Sequence, residues 1–440
     1  MSLPVAGGAV ARCGPVTPAT HPASALPWGM LHTIGVVSAT PSMTRAAELL
    51  RVSQPALSRR VNAAEQLAGT DLFDRTGSGV QVTAAGHMLA EAARRMRGPL
   101  RTATDPPVAG PPECAFATYV TSLGELVRWF SQRWPASRWH GAELRPELAM
   151  ADLAQGALDI FLGVHTQHHA PVAASVRRHV AVRDPLRLAM STRHPLAANP
   201  VLTLAELRHE PWLTSNDPAV EQLLVEACRG HGFTPRIAYR TDRTRSIRDL
   251  VAGGHAITLC VPVARTDDEV VVRPVTGLPS LDLVVAWNPE RLPVALADRF
   301  CGVLIGWYLS RAWSVPAFRS WLDAHHAEVI SSATISSDQN DDPDPVHDDV
   351  DWNDLQAAFE MLRTGSAPQA ATRLGCSPST VQRRVHRLER QVGGALLERS
   401  AEGRPEPTVR GFLLLHHLYR AQAACDAQLT AGTPLISNNT

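Results

Sequence analysis

Three side chains between residues 42 and 60 could recognise the base pairs of DNA: Gln54, Ser58 and Arg59. A Gln amide can pair with adenine through two hydrogen bonds, an Arg guanidinium can do the same with guanine, and a Ser hydroxyl suits several base edges. In a helix these three side chains lie on a polar face, because residues three or four positions apart are neighbours. The pattern predicts a surface that contacts double-stranded DNA.

Two helices are expected to position this polar face. Ser53 suits the N-cap of the second helix, and Pro55 suits its first turn, where a missing N–H group costs nothing. Leu57, Val61 and Ala64 recur at the spacing of one helix face and predict its buried side. Two helices joined by a short turn, with the second polar and basic, form the geometry that enters a major groove. The predicted contacts on these helices are Thr44, Arg45, Ser53, Gln54, Pro55, Ser58 and Arg59.

The residues after the second helix predict a β-wing. Residues 72–83 combine apolar anchors, a Gly turn and a short pair of alternating edges. Arg75 at the base of this wing is placed to contact the sugar-phosphate backbone. A helical hairpin with a solvated basic face would explain the two helices alone, and the wing favours DNA binding over that alternative.

The run Val52–Arg60, followed by Leu-Phe-Asp-Arg-Thr at residues 72–76, resembles the LysR-type transcriptional regulators. The resemblance covers residues 31–100 and extends into the α/β region that follows. It implies a winged helix-turn-helix and, from residue 83 to about residue 100, a linker helix that pairs two subunits. It also implies an effector-binding domain like the type 2 periplasmic binding proteins, with a small molecule between two α/β lobes.

Residues 114–327 alternate short apolar runs with amphipathic stretches, which predicts an α/β domain with largely parallel sheets. The expected strands are 159–164, 186–191, 256–261 and 281–287, and the expected helices are 123–134, 204–208, 220–231 and 246–252. By the resemblance, the effector contacts are Thr118, Thr121, Ser122, Ser215, Asn216, Thr241 and Asp242. Short hydroxyls and helix N-termini would suit a small anion there, and ordinary helix capping explains each residue equally well.

The final helical region repeats the first at an offset of 324 residues. Ser53 aligns with Ser377, Arg59 with Arg383, and Glu65 with Glu389. We interpret this as two copies of one small domain. Ordinary members of the resembled family carry no second module there, and three interpretations stay open: a second DNA reader, a protein-contact or dimerisation module, and a decaying duplicate. If it binds DNA, the predicted contacts are Ser379, Gln382, Arg383 and Arg399.

The expected fold class is multidomain α and α/β, with a winged helix-turn-helix at each end of a two-lobed domain. The expected boundaries are 1–27 for a disordered leader, 28–101 for the first winged helix-turn-helix with its linker helix, 102–113 for a linker, 114–327 for the effector domain, 328–351 for an acidic flexible tether, 352–424 for the second module and 425–440 for a disordered tail.

The chain has 42 basic and 42 acidic residues, yet residues 31–101 carry nine Arg against five acidic residues and residues 352–424 carry ten Arg against six acidic residues. Local positive charge favours phosphate contact.

Other function classes find little support in the residues. The seven cysteines are scattered without metal-ligand spacing, and no nucleotide-binding or hydrolase motif occurs, so we expect no metal, no cofactor and no enzymatic activity. The first 26 residues lack the apolar core of a secretory signal, and no run of 18 apolar residues is present, so a cytoplasmic protein without membrane contact is expected.

The expected partners are double-stranded DNA, an unidentified small-molecule effector, further copies of the chain in a homodimer or homotetramer, and RNA polymerase. The alternative is a small-molecule receptor or a protein-interaction module with a degenerate helix-turn-helix.

Overall fold

The computed structural model describes residues 26–40, 42–76, 79–104, 109–119, 121–263, 268–330, 350–400 and 403–431 of the chain. The chain divides into two compact units, residues 1–94 with 425–440 and residues 95–424. Among the described helices, none is both long enough and apolar enough to cross a membrane.

The first unit contains a winged helix-turn-helix. Its elements are α1 (Trp28–Ser38), α2 (Met43–Leu49), α3 (Gln54–Ala68), the antiparallel wing strands β1 (Phe73–Thr76) and β2 (Gly79–Val82), and the start of α4 (Ala84–Thr104). α3 begins as the sequence predicts, since the Ser53 hydroxyl accepts a hydrogen bond from the Ala56 N–H at 3.4 Å. Leu57, Val61 and Ala64 are buried. Because these three side chains are buried, the opposite face of α3 is exposed.

Two sheets form the α/β part of the second unit. The first lobe has the strand order β4 (Arg138–Glu143), β3 (Glu113–Tyr119), β5 (Ile160–Val164), β13 (Ser280–Trp287), β6 (Arg177–Pro185), with helices α5 (Leu123–Arg133), α6 (Pro146–Gln155), α9 (Val294–Trp313) and α10 (Pro316–Val329). The second lobe has the order β10 (Arg236–Arg240), β9 (Pro211–Thr214), β11 (Ile257–Cys260), β7 (Arg187–Ser191), β12 (Val270–Thr276), β8 (Leu202–Thr203), with α7 (Pro218–Gly230), α8 (Thr244–Ala252) and 3₁₀ turns at Pro195–Ala198 and Leu204–Leu207. Each lobe has its own apolar core, built around Phe161 in the first and Trp212 in the second.

The sheets are mixed, which corrects the expectation of largely parallel sheets. β3 runs parallel to β4 and β5, and β9 runs parallel to β10 and β11. In contrast, β13 is antiparallel to β5 and β6, and β7 is antiparallel to β11 and β12. The chain crosses to the second lobe between β6 and β7 and returns between β12 and β13. The antiparallel pairs involve these crossing strands, whereas the parallel partners of β3 and of β9 are connected to them through helices of the same lobe.

A second winged helix-turn-helix lies, as far as Ala424, in the same unit as the two lobes. It consists of α11 (Trp352–Thr364), α12 (Ala367–Leu374), α13 (Pro378–Gln391), β14 (Leu397–Arg399), β15 (Pro405–Pro407) and α14 (Val409–Ala431). The Phe412 ring centroid lies 6.1 Å from that of Trp129 and 5.9 Å from that of Trp313. The Tyr419 hydroxyl donates to Asp323 at 3.1 Å. The module is therefore packed against the first lobe.

Some predicted boundaries lie outside the described residues and others shift. The predicted leader and acidic tether consist mostly of residues that are not described, while Ile330 at the start of the tether forms a β-bridge with Val182. The predicted disordered tail at 425–440 starts too early. α14 continues to Ala431, and its residues Cys425 and Leu429 are buried apolar positions of that helix.

Candidate functional site

The polar face of α3 lies on the outside of the first unit. Gln54, Pro55 and Arg59 are exposed and Ser58 is half-buried. Arg59 donates through Nε to the carbonyl oxygen of Pro55 at 3.4 Å, a bond within its own helix. No carboxylate of a described residue pairs with Arg59, so its guanidinium can turn to a base or a phosphate. The predicted orientation of the face agrees with this geometry, and contact with DNA itself stays a prediction.

The predicted contacts on α2 and at the start of α3 are also at the surface. Thr44, Arg45 and Ser53 are exposed. Arg45 pairs with Glu48 of its own helix at 2.9 Å, and about 60% of each side chain is exposed. Such an exposed pair contributes little free energy. Arg45 can therefore exchange this partner for a phosphate.

The turn between α2 and α3 holds a residue that sequence reasoning missed. Arg51 is exposed and has a φ of 52°, in the left-handed region. A left-handed conformation costs a residue with a side chain about 1 kcal/mol or more, and glycine avoids that cost. At the aligned position the second module has Gly375, with a φ of 60°. That aligned glycine was the one signal in the sequence that could have identified the strained turn.

The wing is held to α3 by Glu65. Its Oε1 accepts hydrogen bonds from the backbone N–H groups of Leu72 at 3.0 Å and Phe73 at 3.2 Å. Arg75 lies in β1 opposite Val80. Its side chain is outside the described residues, so its predicted phosphate contact stays a prediction.

The second module repeats the hydrogen bonds that build the first. Glu389 Oε1 accepts from the N–H groups that begin the wing, at 2.9 Å and 3.4 Å, as Glu65 does. A Thr follows each wing, Thr83 in the first module and Thr408 in the second. Its hydroxyl donates to a backbone carbonyl at 2.9 Å in both modules. The same hydroxyl accepts from the N–H three residues later, at 3.0 Å for Thr83 and at 3.1 Å for Thr408. The aligned identities between the two modules thus include residues that build the domain.

The polar face of α13 is exposed in spite of the packing of its module on the first lobe. Ser379, Gln382 and Arg383 are all exposed. Among the residues that the structure describes, Arg383 reaches only the Thr380 hydroxyl, at 3.5 Å on its own helix. Arg399 is exposed as well and donates to the carbonyl of Gly403 at 3.0 Å. The predicted contacts of the second module are therefore all accessible.

Two of the predicted effector contacts are fully engaged inside the first lobe. Thr118 and Thr121 are buried and their hydroxyls contact each other. The Thr118 hydroxyl also donates to the carbonyl of Leu162 at 2.7 Å. Ser122 is exposed and caps α5 through the Glu125 N–H at 3.4 Å. Ser122 thus caps a helix, as the capping alternative expects, whereas Thr118 and Thr121 have partners other than a helix N-terminus.

The remaining predicted effector contacts meet in the second lobe. Asp242 accepts from the Ser215 hydroxyl at 2.6 Å and from the Asn216 N–H at 3.0 Å. The Thr241 hydroxyl accepts from the Arg243 N–H at 3.1 Å. Because Asp242 occupies this N–H group, the loop before α7 does not present a free anion site.

The two lobes are connected here through Tyr119, His169 and Asp217, none of which was among the predicted effector contacts. The Tyr119 hydroxyl of the first lobe lies 3.4 Å from the Ser215 hydroxyl of the second. His169, which follows β5, donates through Nε2 to the N-cap Asp217 of α7 at 3.1 Å, and both side chains are buried. Separation of the lobes must break both contacts. No periodic pattern marks them, because each pair joins residues far apart in the chain.

The tautomer of His169 is set by its neighbours. Its Nδ1 accepts from the Thr166 N–H at 2.8 Å, so the ring proton of the neutral form lies on Nε2. Glu147 and Asp217 also lie close enough to this ring to form a metal-ligand set. A neutral imidazole that accepts at Nδ1 keeps its proton on Nε2 and has no lone pair there for a metal. The group therefore works better as a hydrogen-bonded link than as a metal centre.

Burial shifts the acid-base behaviour of this link. It lowers the pKa of the adjacent His165 to about 4, and the charges of His169 and Arg178 act in the same direction. Burial alone would raise the pKa of Asp217, but the hydrogen bond and charge of His169, together with hydrogen bonds from the backbone N–H groups of Ala219 and Val220, hold that pKa below its ordinary value. Burial raises the pKa of Tyr119 to about 12. At neutral pH, His165 is uncharged, Asp217 is ionised and Tyr119 keeps its proton.

Comparisons with known proteins match the same segments. Residues 114–307 match the family model of the LysR substrate binding domain. Residues 28–87 and residues 352–412 both match the model described as "Bacterial regulatory helix-turn-helix protein, lysR family". A small neutral protease regulatory protein from Streptomyces coelicolor is 26% identical over 67% of this chain and 95% of its own length. The regulator AlsR of Bacillus subtilis is 28% identical over 49% of this chain and 73% of its own length. A crystal structure of an OxyR mutant from Corynebacterium glutamicum is 18% identical, covers 66% of this chain and 95% of its own, and has a TM-score of 0.42.

Proposed function

Because the chain belongs to the LysR family of transcriptional regulators, we propose that the polar face of α3, with Arg51 and the wing, is its principal DNA-reading surface. The observation that carries this is the exposure of Gln54 and Arg59 on a helix whose other side is buried. Gln54 reads a base edge, Arg59 pairs with a base or a phosphate, and Arg45 and Arg51 neutralise phosphates. The relatives found are regulators, not enzymes.

A binding assay with the full chain tests this surface. We expect Arg59→Gln to weaken binding to the chain's own upstream DNA by about 5- to 150-fold, since one good contact to a base is worth about 1–3 kcal/mol. Arg177→Gln is the matched control, because Arg177 is an exposed arginine in the first lobe. Equal affinity of the two variants would show that α3 does not contact DNA.

The second module is proposed as an additional DNA reader. Its aligned surface, Ser379, Gln382 and Arg383, is exposed although the module packs on the first lobe through Phe412 and Tyr419. Deleting the module would uncover these apolar contacts and disturb the lobe. Arg383→Gln with Gln382→Ala is the cleaner test, and we expect a footprint shortened at one end. A footprint of unchanged length and affinity would favour the protein-contact interpretation.

The effector is proposed to bind between the two lobes. Asp217 accepts the N–H of Ala219 at the start of α7, and Asp242 occupies the neighbouring Asn216 N–H. Two carboxylates thus stand where an anion would bind, which argues against the small anion expected from the sequence. We propose an uncharged or cationic effector whose donors replace those of His169 and Ser215.

The chain is proposed to act in the cytoplasm as a homodimer or homotetramer and to contact RNA polymerase when bound to DNA. The family assignment supports this proposal, since subunit pairing through a helix in the position of α4 is the arrangement that the resemblance implies. Light scattering on the full chain tests it. A mass of one chain at micromolar concentration would contradict it.

A further inference from the structure

A cavity of about 850 Å³ lies between the effector domain and the second winged helix-turn-helix. One wall comes from residues 109–112 and 132–137, a second from the start of α9, and a third from residues 392–396, Thr408 and the start of α14 in the second module. This volume is within the range of small-molecule sites. The cavity is separate from the cleft between the two lobes, and all of its lining residues belong to one compact unit.

Three guanidinium groups converge on this cavity. Arg133 ends α5, Arg299 lies on α9 and Arg410 begins α14, and all three side chains are half-buried. Arg410 donates to the carbonyl of Val392, and Arg133 lies over the Trp134 ring with its guanidinium carbon 5.4 Å from the centroid. No described carboxylate forms an ion pair with any of the three. Asp298 is the one acidic residue among the described residues that line the cavity.

The charges in this cluster repel one another. The pKa of Arg133 is lowered first by burial and then by the charges of Arg299 and Arg410. Half-buried cations without counter-charges are costly, because neither water nor a carboxylate compensates them fully. The cavity therefore has a net positive charge that the described part of the protein leaves uncompensated.

A histidine in the same cavity points to a missing partner. His417 lines the cavity, and its Nδ1 atom is buried without a hydrogen-bond partner among the described residues. Burial lowers the pKa of this ring to about 3, and the charges of Arg420, Arg299 and Arg133 add to the effect. Buried polar atoms in folded proteins are almost always hydrogen-bonded. An uncharged His417 beside three guanidinium groups can bind a polar group of a ligand.

We propose that this cavity binds a small molecule with two or more carboxylate or phosphate groups. Arginine forks match carboxylate and phosphate oxygens through paired hydrogen bonds, and three of them require at least two negative charges for balance. Trp134, Leu396 and Leu413 supply an apolar part of the wall for the body of such a ligand. The site goes beyond the proposed effector cleft, whose carboxylates disfavour an anion.

A bound anion would join two domains. Arg133 and Arg299 belong to the effector domain, whereas Arg410 belongs to the second module. A polyanion that pairs with residues of both sides stabilises their packing, because separation would break its contacts. The second module would then be held most firmly when the anion is present.

Calorimetric titration and thermal unfolding of the full chain test the site. The probes are citrate, a tricarboxylate, and pyrophosphate, each compared with sodium chloride at equal ionic strength. We expect at least one probe to bind and to raise the unfolding temperature, and we expect Arg299→Gln and Arg133→Gln each to weaken that binding at least tenfold. Arg128→Gln is the matched control, since Arg128 is an exposed arginine on the same helix as Arg133 and does not line the cavity.

The variants also report on the protein without ligand. Because Arg299→Gln removes one of three like charges, we expect its unfolding temperature in chloride to equal or exceed that of the wild type. Citrate binding alone identifies a carboxylate site, and pyrophosphate binding alone a phosphate site. Failure of both probes to bind the wild type would overturn the proposal, as would equal binding by the control and the two cavity variants. Either result would leave the DNA-reading role of α3 untouched.

Discussion

Asp184 couples the stability of the effector domain to pH. It lies near the end of β6, where the chain crosses between lobes, and its side chain is 0% exposed. One carboxyl oxygen accepts from the Tyr308 hydroxyl at 2.7 Å, and the other has no hydrogen-bond partner among the described residues. Burial raises the pKa of Asp184 from 3.8 to about 7, against the lowering effects of Tyr308 and Arg187.

This shift makes the free energy of unfolding fall as the pH rises. The pKa of the folded state lies above that of the unfolded chain, so the stabilisation is fully present below pH 3.8 and is lost as the pH rises through about 7. Each pH unit in this window corresponds to about 1.4 kcal/mol, and the whole shift to about 4 kcal/mol. Relaxation around the ionised carboxylate makes the second figure an upper bound.

Asp184→Asn isolates this contribution. An Asn keeps an oxygen that accepts from Tyr308, but it does not titrate. We expect the free energy of unfolding of this variant, minus that of the wild type, to increase by a few kcal/mol between pH 5 and pH 8. The slope is about 1.4 kcal/mol per pH unit below the pKa of Asp184 in the folded state. Urea unfolding followed by tryptophan fluorescence at four pH values measures it.

Asp249→Asn is the control, because Asp249 is 58% exposed on α8, whereas Asp184 is fully buried. Its stability difference from the wild type should stay constant over the same pH range. A constant difference for Asp184→Asn as well would refute the reasoning, since a buried carboxyl with an ordinary pKa produces no such slope.

Two further predictions concern single contacts. Arg51→Gly should stabilise the first unit by about 1 kcal/mol, because it relieves a left-handed conformation, and thermal unfolding measures this. Because one phosphate contact is lost, the slope of the logarithm of the DNA-binding constant against the logarithm of the salt concentration should fall in magnitude by about one. Fluorescence anisotropy at several salt concentrations measures that slope, and an unchanged slope would remove Arg51 from the interface. His169→Ala should destabilise the effector domain by about 1–3 kcal/mol, since it removes one of the donors to the buried Asp217. Gln167→Ala, at an exposed position nearby, should not have this effect. Equal thermal stability of these two variants would contradict a link between the lobes.

Local features of the fold could be predicted from the sequence because local residues determine them. Ser53 caps α3, Leu57 and Val61 are buried, and the polar face of the helix is exposed, as the spacing of these residues requires. The repeat also predicted a second module at residues 352–424. The aligned residues include those that hold each wing to its helix, such as Glu65 and Glu389.

Features that depend on distant residues could not be predicted in this way. The mixed sheets follow from the two crossings between lobes, which leave no periodic signal. The link between His169 and Asp217 joins residues 48 positions apart. The cationic cavity brings together Arg133, Arg299 and Arg410 from three separate helices. Only the three-dimensional packing of the second module on the first lobe creates that site.

Base selectivity of two Gln→Ala variants tests the DNA-reading role of α3 most directly. Gln54 and Gln66 are both exposed on this helix, but only Gln54 lies at the end that would enter the groove. DNA sites selected by the full chain from a random pool would show the preference at each base position. We predict that Gln54→Ala loses preference at one A·T position, at a cost of about 1–3 kcal/mol there, while Gln66→Ala selects the wild-type sites. Identical selected sites for wild type and both variants would contradict the assignment of α3 as the reading helix.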